Sequence, residues 1–193
     1  MTSRVFKKEE REEKRVQMLE TGFALLKEYG MTHMSVDKIT SAVGLGKGTF
    51  YHFFDSKEDF VYQLIEHQRK KFWGYMEMLK DGREKMTEEN GKLLLRGIIL
   101  HEDSVYQYLS MNEDKDVNDK CGQVPNLEEE AEILRFLFDN IENVRVEPNY
   151  GVISNLLKIM AMAAESKKYL HESKYEETLD SLFGLLFREI FNS

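Results

Sequence analysis

The sequence predicts an all-α protein. Only two prolines interrupt its 193 residues, and scarce proline favours long uninterrupted helices over strands and turns. Apolar residues recur at three- and four-residue steps along most of the chain, and no segment reads as a strand.

From about Lys8 to Tyr29, Val16, Leu19, Phe23 and Leu26 line one helical face. Gly30 follows where a left-handed C-terminal residue is wanted, with apolar Met31 after it. Ser35 fits the N-cap of a short helix that buries Val36, Ile39 and Val43, and Gly44-Leu45-Gly46 ends that helix. A third helix runs from about Lys47 to Phe53 and stops at Asp55-Ser56. Ser56 caps a fourth helix with Asp59 at the N3 position, a variant capping box. That helix is long, passing through Phe60, Leu64, Gln68, Phe72 and Met76 to a break at Asp81-Gly82.

Beyond the break, Lys92 to about Leu109 reads as a helix with Leu94, Ile98, Val105 and Leu109 among its apolar positions. Residues 110–126 are polar and contain Gly122 and Pro125, which reads as a mobile loop. Leu127 to Asn143 reads as a helix burying Ile133, Leu134, Leu137, Phe138 and Ile141. Two further helices, about Asn149 to Leu170 and Ser173 to Phe191, complete the series.

Composition narrows the function classes. The longest apolar run, Ile159 to Ala164, is far short of a membrane span. The N-terminal MTSRVFKKEEREEKR has no apolar core, so a signal peptide is not expected and a cytoplasmic location is. Cys121 is the single cysteine, so no internal disulfide forms. The net charge is −8, but residues 1–57 carry +2 and residues 58–193 carry −10. A weakly basic segment permits nucleic-acid binding without demanding it. His33, His67, His101 and His171 have no cysteine or carboxylate at metal-ligand spacing, so neither metal nor cofactor is expected. No G-x-S-x-G, H-E-x-x-H or C-x-x-C occurs, so an enzyme is not expected either.

The segment VGLGKGTFYHFFDSKEDF, residues 43–60, carries most of the functional information. Glycines beside a lysine and a threonine point to a phosphate. A nucleotide loop of the form G-x-x-x-x-G-K-[ST] fails because Gly48 follows Gly46-Lys47, and because a capped helix, not a strand, precedes it. The dinucleotide pattern G-x-G-x-x-G fails because its third glycine comes one residue early. Short helix, glycine-containing turn, short helix is instead a helix-turn-helix arrangement, whose second helix enters the DNA major groove by its N-terminal end. Gly46 and Gly48 let backbone approach DNA there, Lys47 adds charge, and Thr49 offers a hydroxyl and a methyl near base edges.

The stretch MSVDKITSAVGLGKGTFYHFFDSKEDF resembles the N-terminal domain of the tetracycline-repressor (TetR) family. The resemblance is carried by Ile39, Val43-Gly44-Leu45, Lys47-Gly48-Thr49-Phe50-Tyr51, Phe54, and Lys57-Glu58 followed by Phe60, and covers roughly residues 10–60. It implies a dimeric, usually repressing transcription factor. Residues 1–57 would bind a double-stranded DNA operator, and residues 58–193 would dimerise and bind a small-molecule effector. By position, Lys47, Gly48 and Thr49 would meet DNA, Tyr51 and His52 would touch phosphates or nearby bases, Lys57 would clamp a phosphate, and Ser35 would contact backbone from the second helix. Gly46 and Phe53 depart from the family's usual residues: Ser, Thr or Ala is common at the first, and His or Tyr at the second.

Plainer roles stand beside these. Phe50 and Phe54 are core residues, four apart on one face. Tyr51 could pack, His52 and Lys57 could be solvated, and Ser35 could be a cap alone. The basic arm of Arg4, Lys7 and Lys8 is a further candidate for DNA contact. In the larger part, the resemblance implies an effector cavity lined by some of Phe72, Trp73, Met76, Tyr106, Phe136 and Met160. The last helix carries a broad apolar stripe of Leu179, Leu182, Phe183, Leu186, Phe187, Ile190 and Phe191. Paired with Val152, Leu156, Ile159 and Ala163 of its neighbour, it would form a four-helix interface with a second copy. The alternative reading is a ligand-binding or protein-interaction module on the same scaffold that has lost DNA recognition.

Overall fold

The computed structural model describes residues 8–122 and 126–192; Arg4 and Lys7 of the basic arm lie outside them. Among the described residues there are nine α-helices and no strand. They are α1 (Lys8–His33), α2 (Val36–Ala42), α3 (Lys47–Phe50), α4 (Lys57–Lys80), α5 (Glu88–Leu100), α6 (Met111–Cys121), α7 (Leu127–Asp139), α8 (Tyr150–Glu165) and α9 (Tyr175–Ile190).

Two hydrophobic cores are threaded on α4. The first joins Met18, Leu19, Phe23 and Leu26 of α1, Ile39 of α2 and Phe50 of α3 to Phe60, Val61, Leu64 and Ile65 in the first half of α4. Phe50, Phe54 and Phe60 interlock in it, with ring centroids 4.8–5.4 Å apart. The second joins Met76, near the other end of α4, to α5, α7, α8 and α9. A boundary between residues 57 and 58 thus falls at the start of a helix that both cores share. Gly22 sets the closeness of α1 and α4, because a Cβ there would lie 2.3 Å from the Phe60 ring. Phe60 is fully buried and cannot retreat, so only glycine fits.

Several expectations are corrected. The polar stretch 110–126 is not a loop throughout: α6 occupies Met111–Cys121. Ser110 accepts from the Glu113 amide at 3.1 Å, and the Glu113 carboxylate accepts from the Ser110 amide at 3.0 Å, a full capping box. Val117 is fully buried in the first core, and Lys120 bridges to Glu58 at 2.9 Å, so α6 is held against α4. The helix before it stops at Leu100 instead of reaching Leu109. There Ser104 Oγ donates to the Ile98 carbonyl and the Gln107 side-chain amide Nε2 to the Ile99 carbonyl, taking up acceptors at the helix end. Val105 and Leu109 then pack in the first core. Ile133 of α7 is 55% exposed, not buried, because the buried face is made by Leu134, Leu137 and Phe138. The last two helices are shorter than expected, and α3 ends at Phe50, its chain continuing as turns through Phe53.

Candidate nucleic-acid interface

The α2–α3 unit is built by local chemistry. Ser35 is extended, and its Oγ accepts from the Lys38 amide at 3.2 Å, an N-cap that leaves the hydroxyl proton free to donate outward. At the other end the Leu45 amide donates to the Thr40 carbonyl at 2.8 Å and the Gly44 amide to the Ser41 carbonyl at 3.2 Å. That pair is a Schellman cap, and Gly44 at φ 68° occupies its left-handed position. The chain thereby turns straight into α3, whose first turn closes with the Thr49 amide on the Gly46 carbonyl at 2.8 Å.

Gly46 and Gly48 are instructive by contrast. Neither has a positive φ, and a Cβ on either would meet nothing within 4 Å. Neither the backbone nor the packing of this chain therefore requires glycine there. Glycine within a helix costs about 1 kcal/mol relative to alanine, and no contact within the described structure offsets that cost at Gly48.

Phe50 and Phe54 hold the unit from beneath, both buried as expected. Ser35, Lys47, Gly48, Tyr51 and His52 are exposed, and Thr49 and Lys57 are half-buried. Tyr51 is 51% exposed with its ring edge-on to Phe50 at 5.3 Å, so it packs and presents a hydroxyl at once. Lys47 pairs with Asp37 at 3.1 Å, both side chains being mostly exposed, so this pair is weak and readily exchanged for a phosphate. Lys57 Nζ donates to the Met31 carbonyl at 3.0 Å, which anchors it to the last turn of α1. An ammonium has three protons, and two stay available.

Arg11 was not singled out in the sequence. From α1 it donates to the His52 carbonyl at 2.6 Å and lies 5.3 Å from the centre of the Phe53 ring. It therefore brings a guanidinium to the end of α3, where Phe53 offers no polar group of its own. Within the charged run around it, spacing alone could not separate Arg11 from its neighbours.

Of the six residues expected at an effector cavity, the structure brings Trp73, Met76 and Phe136 together along an open groove between α4 and α7. Phe72 stands edge-on to Trp73 at 6.0 Å. Met160 is fully buried in the second core and Tyr106 lies elsewhere, its hydroxyl 3.5 Å from Arg69 Nη2. Burial in that region pushes the Asp114 carboxyl above its ordinary range, with Arg69 and Asn118 pulling part of the way back.

The expected dimer face divides. Leu179 is buried within the chain, and Phe183, Leu186 and Ile190 are buried in its own second core, which corrects their placement at an interface. The apolar stripe of α9 is not one surface: α8 packs against it, and Arg96 of α5 lies over the Phe183 ring at 4.5 Å. What stays open is the outer face of α8, with Val152 at 40%, Ile159 at 44% and Met162 at 45% exposure. Leu156 shares that face half-buried, and Leu182 and Phe187 of α9 are half-buried as well.

Among the described residues, no group of three or more His, Cys, Asp or Glu could hold a metal ion. No described helix is long and apolar enough to cross a membrane.

Residues 18–64 match the family model described as bacterial regulatory proteins, tetR family. No curated protein sequence matches the chain. Solved structures similar to it include one described as the molecular basis for control of antibiotic production by bacterial hormones, with a TM-score of 0.63, 17% identity, and coverage of 93% of this chain and 98% of that one. A TetR-family transcriptional regulator from Haemophilus influenzae gives 0.52 and 18%, with coverage of 94% and 98%. Reduced E. coli NemR gives 0.55 and 18%, with coverage of 91% and 96%. At these identities the likeness shows the fold, and it extends over nearly the whole chain.

Proposed function

We propose that this chain, whose residues 18–64 carry the TetR-family match, is a homodimeric transcriptional repressor of the cytoplasm, released from its operator by a small-molecule effector. The supporting observation is the open face of α2–α3: Ser35, Lys47, Gly48, Tyr51 and His52 are exposed above a buried Phe50–Phe54 base. Its two glycines answer to no constraint inside the chain. Ser35, Tyr51 and Lys57 would bind phosphates, which position the protein, while Lys47 and Thr49 would address bases. Dimerisation through the outer face of α8 would set two such units about 34–36 Å apart, so the operator would be an imperfect palindrome. An effector that binds better to a state with altered spacing would lower DNA affinity.

The test is selection of bound duplexes from random DNA, followed by affinity measurements across a salt series. A palindromic motif with affinity falling steeply as salt rises is the expected result. A second reading, a ligand-binding or interaction module without DNA recognition, draws on Lys47 and Lys57 both being engaged within the chain. Failure to enrich any sequence under any ligand condition would favour that reading. A gel-filtration mass of one chain would remove the dimer.

A further inference from the structure

We propose that the groove between α4 and α7 binds a lipophilic organic cation: an aromatic body carrying one positive charge. The regulator reading is needed only for what binding does to DNA.

The groove has a volume of about 690 Å³, inside the roughly 300–1,000 Å³ of small-molecule sites. Its lining is apolar, from Trp73, Met76, Ile133 and Phe136. Trp73 and Phe136 meet edge to face, with centroids 5.5 Å apart at 82°, so ring faces remain for a ligand. Ile133 and Phe136 are each 55% exposed. They lie three residues apart on one side of α7, an apolar patch that no other described part of the chain covers.

The charge at this patch has one sign. Glu77 and Glu132 line the groove, and no lysine or arginine does. Each carboxylate stands one helical turn from an aromatic: Glu77 four residues after Trp73, and Glu132 four before Phe136. Glu132 makes no ion pair among the described residues. Glu77 pairs only with Lys80, at 2.8 Å, and stays 64% exposed. The aromatic faces add negative quadrupole potential. An apolar anion would gain the same contact area and be repelled, whereas a cation gains from the area, the rings and the carboxylates together.

Trp73 is the single tryptophan, so its emission reports the groove. The experiment titrates the full chain with tetraphenylphosphonium and, separately, with tetraphenylborate, which has the same shape and opposite charge. The expected result is saturable, one-to-one binding of the phosphonium, about tenfold or more tighter than the borate, a difference of about 1.4 kcal/mol. Glu132→Gln should weaken the phosphonium about three- to tenfold at low salt, as expected for one charge near the surface, and should not weaken the borate. Phe136→Ala should weaken both. Equal or tighter borate binding, or indifference to Glu132→Gln, overturns the proposal. Operator affinity measured on the same samples keeps the two readings apart. Sequence-selective DNA binding without phosphonium binding removes this site and leaves the regulator. Phosphonium binding with unchanged operator affinity keeps the site and removes it as the trigger for release.

Discussion

Arg11 and His52 are joined across 41 positions of sequence: the Arg11 guanidinium donates to the His52 carbonyl at 2.6 Å. The same guanidinium lies over the Phe53 ring, so the first turn of α1 steadies the turn that follows α3. Arg11→Ala should cost about 0.5–1.5 kcal/mol of stability, the ordinary worth of one hydrogen bond, read from a urea melt. On the proposed reading, operator affinity should fall by more than that loss explains, because a positive charge leaves the end of α3. A loss of stability with unchanged operator affinity would confine Arg11 to a structural role.

Lys57 and Thr49 should separate charge from readout. Lys57→Ala should weaken binding to every duplex and lower the salt slope by about one. It also removes the tie to the Met31 carbonyl, so Lys57→Arg, which keeps charge and donors, should recover most of the affinity. Thr49→Ala should relax base preference with little change in the salt slope. Titrations of operator and scrambled duplexes at several salt concentrations check both.

The sequence places Ile159 and Phe183 in one interface, yet Ile159 is 44% exposed and Phe183 fully buried. Ile159→Glu should yield a folded monomer, with unchanged helical circular dichroism and half the mass by light scattering. Phe183→Ala should instead destabilise the chain by about 3–5 kcal/mol, the usual cost of a buried aromatic. A dimeric Ile159→Glu would move the interface off this face of α8.

Asp114 should make stability depend on pH. Burial raises its folded-state pKa above the ordinary value of 3.8, only partly offset by Arg69 and Asn118, and its Oδ1 is buried with no hydrogen-bond partner among the described residues. The folded state therefore holds the proton more tightly than the unfolded one. The resulting cost is absent well below pH 3.8, grows as pH rises from there toward the folded value, and is complete above that value. Asp114→Asn should stabilise the chain at pH 7 by up to about 1 kcal/mol, on the scale of one half-buried polar group, and the gain should shrink toward pH 4. Urea midpoints of both proteins at the two pH values test this. A gain independent of pH would mean that the carboxylate charge is not its source.

The α2–α3 unit was legible because its signals are local. Ser35 caps within three residues, Gly44 turns the chain within two, and Phe50 and Phe54 share a face by spacing alone. α6 was not legible, since Val117 is the one fully buried apolar residue among its described side chains and one position makes no periodicity. That helix owes its place to docking on α4 and to the ion pair between Lys120 and Glu58. Arg11 was hidden for a related reason: a charged run reads as solvated until the fold shows what one member reaches.

By itself the sequence determined the helical class, the caps and turn of the α2–α3 unit, and the resemblance carried by that unit, because each rests on residues a turn or two apart. Only the tertiary structure decided which apolar faces are spent on the core and which remain for a partner. Leu179, Phe183, Leu186 and Ile190 vanished into the interior, while Ile159 on α8 and Phe136 on α7 stayed open. Periodicity marks a face as apolar, but what covers it depends on how the helices cross, and those contacts join positions far apart in the chain.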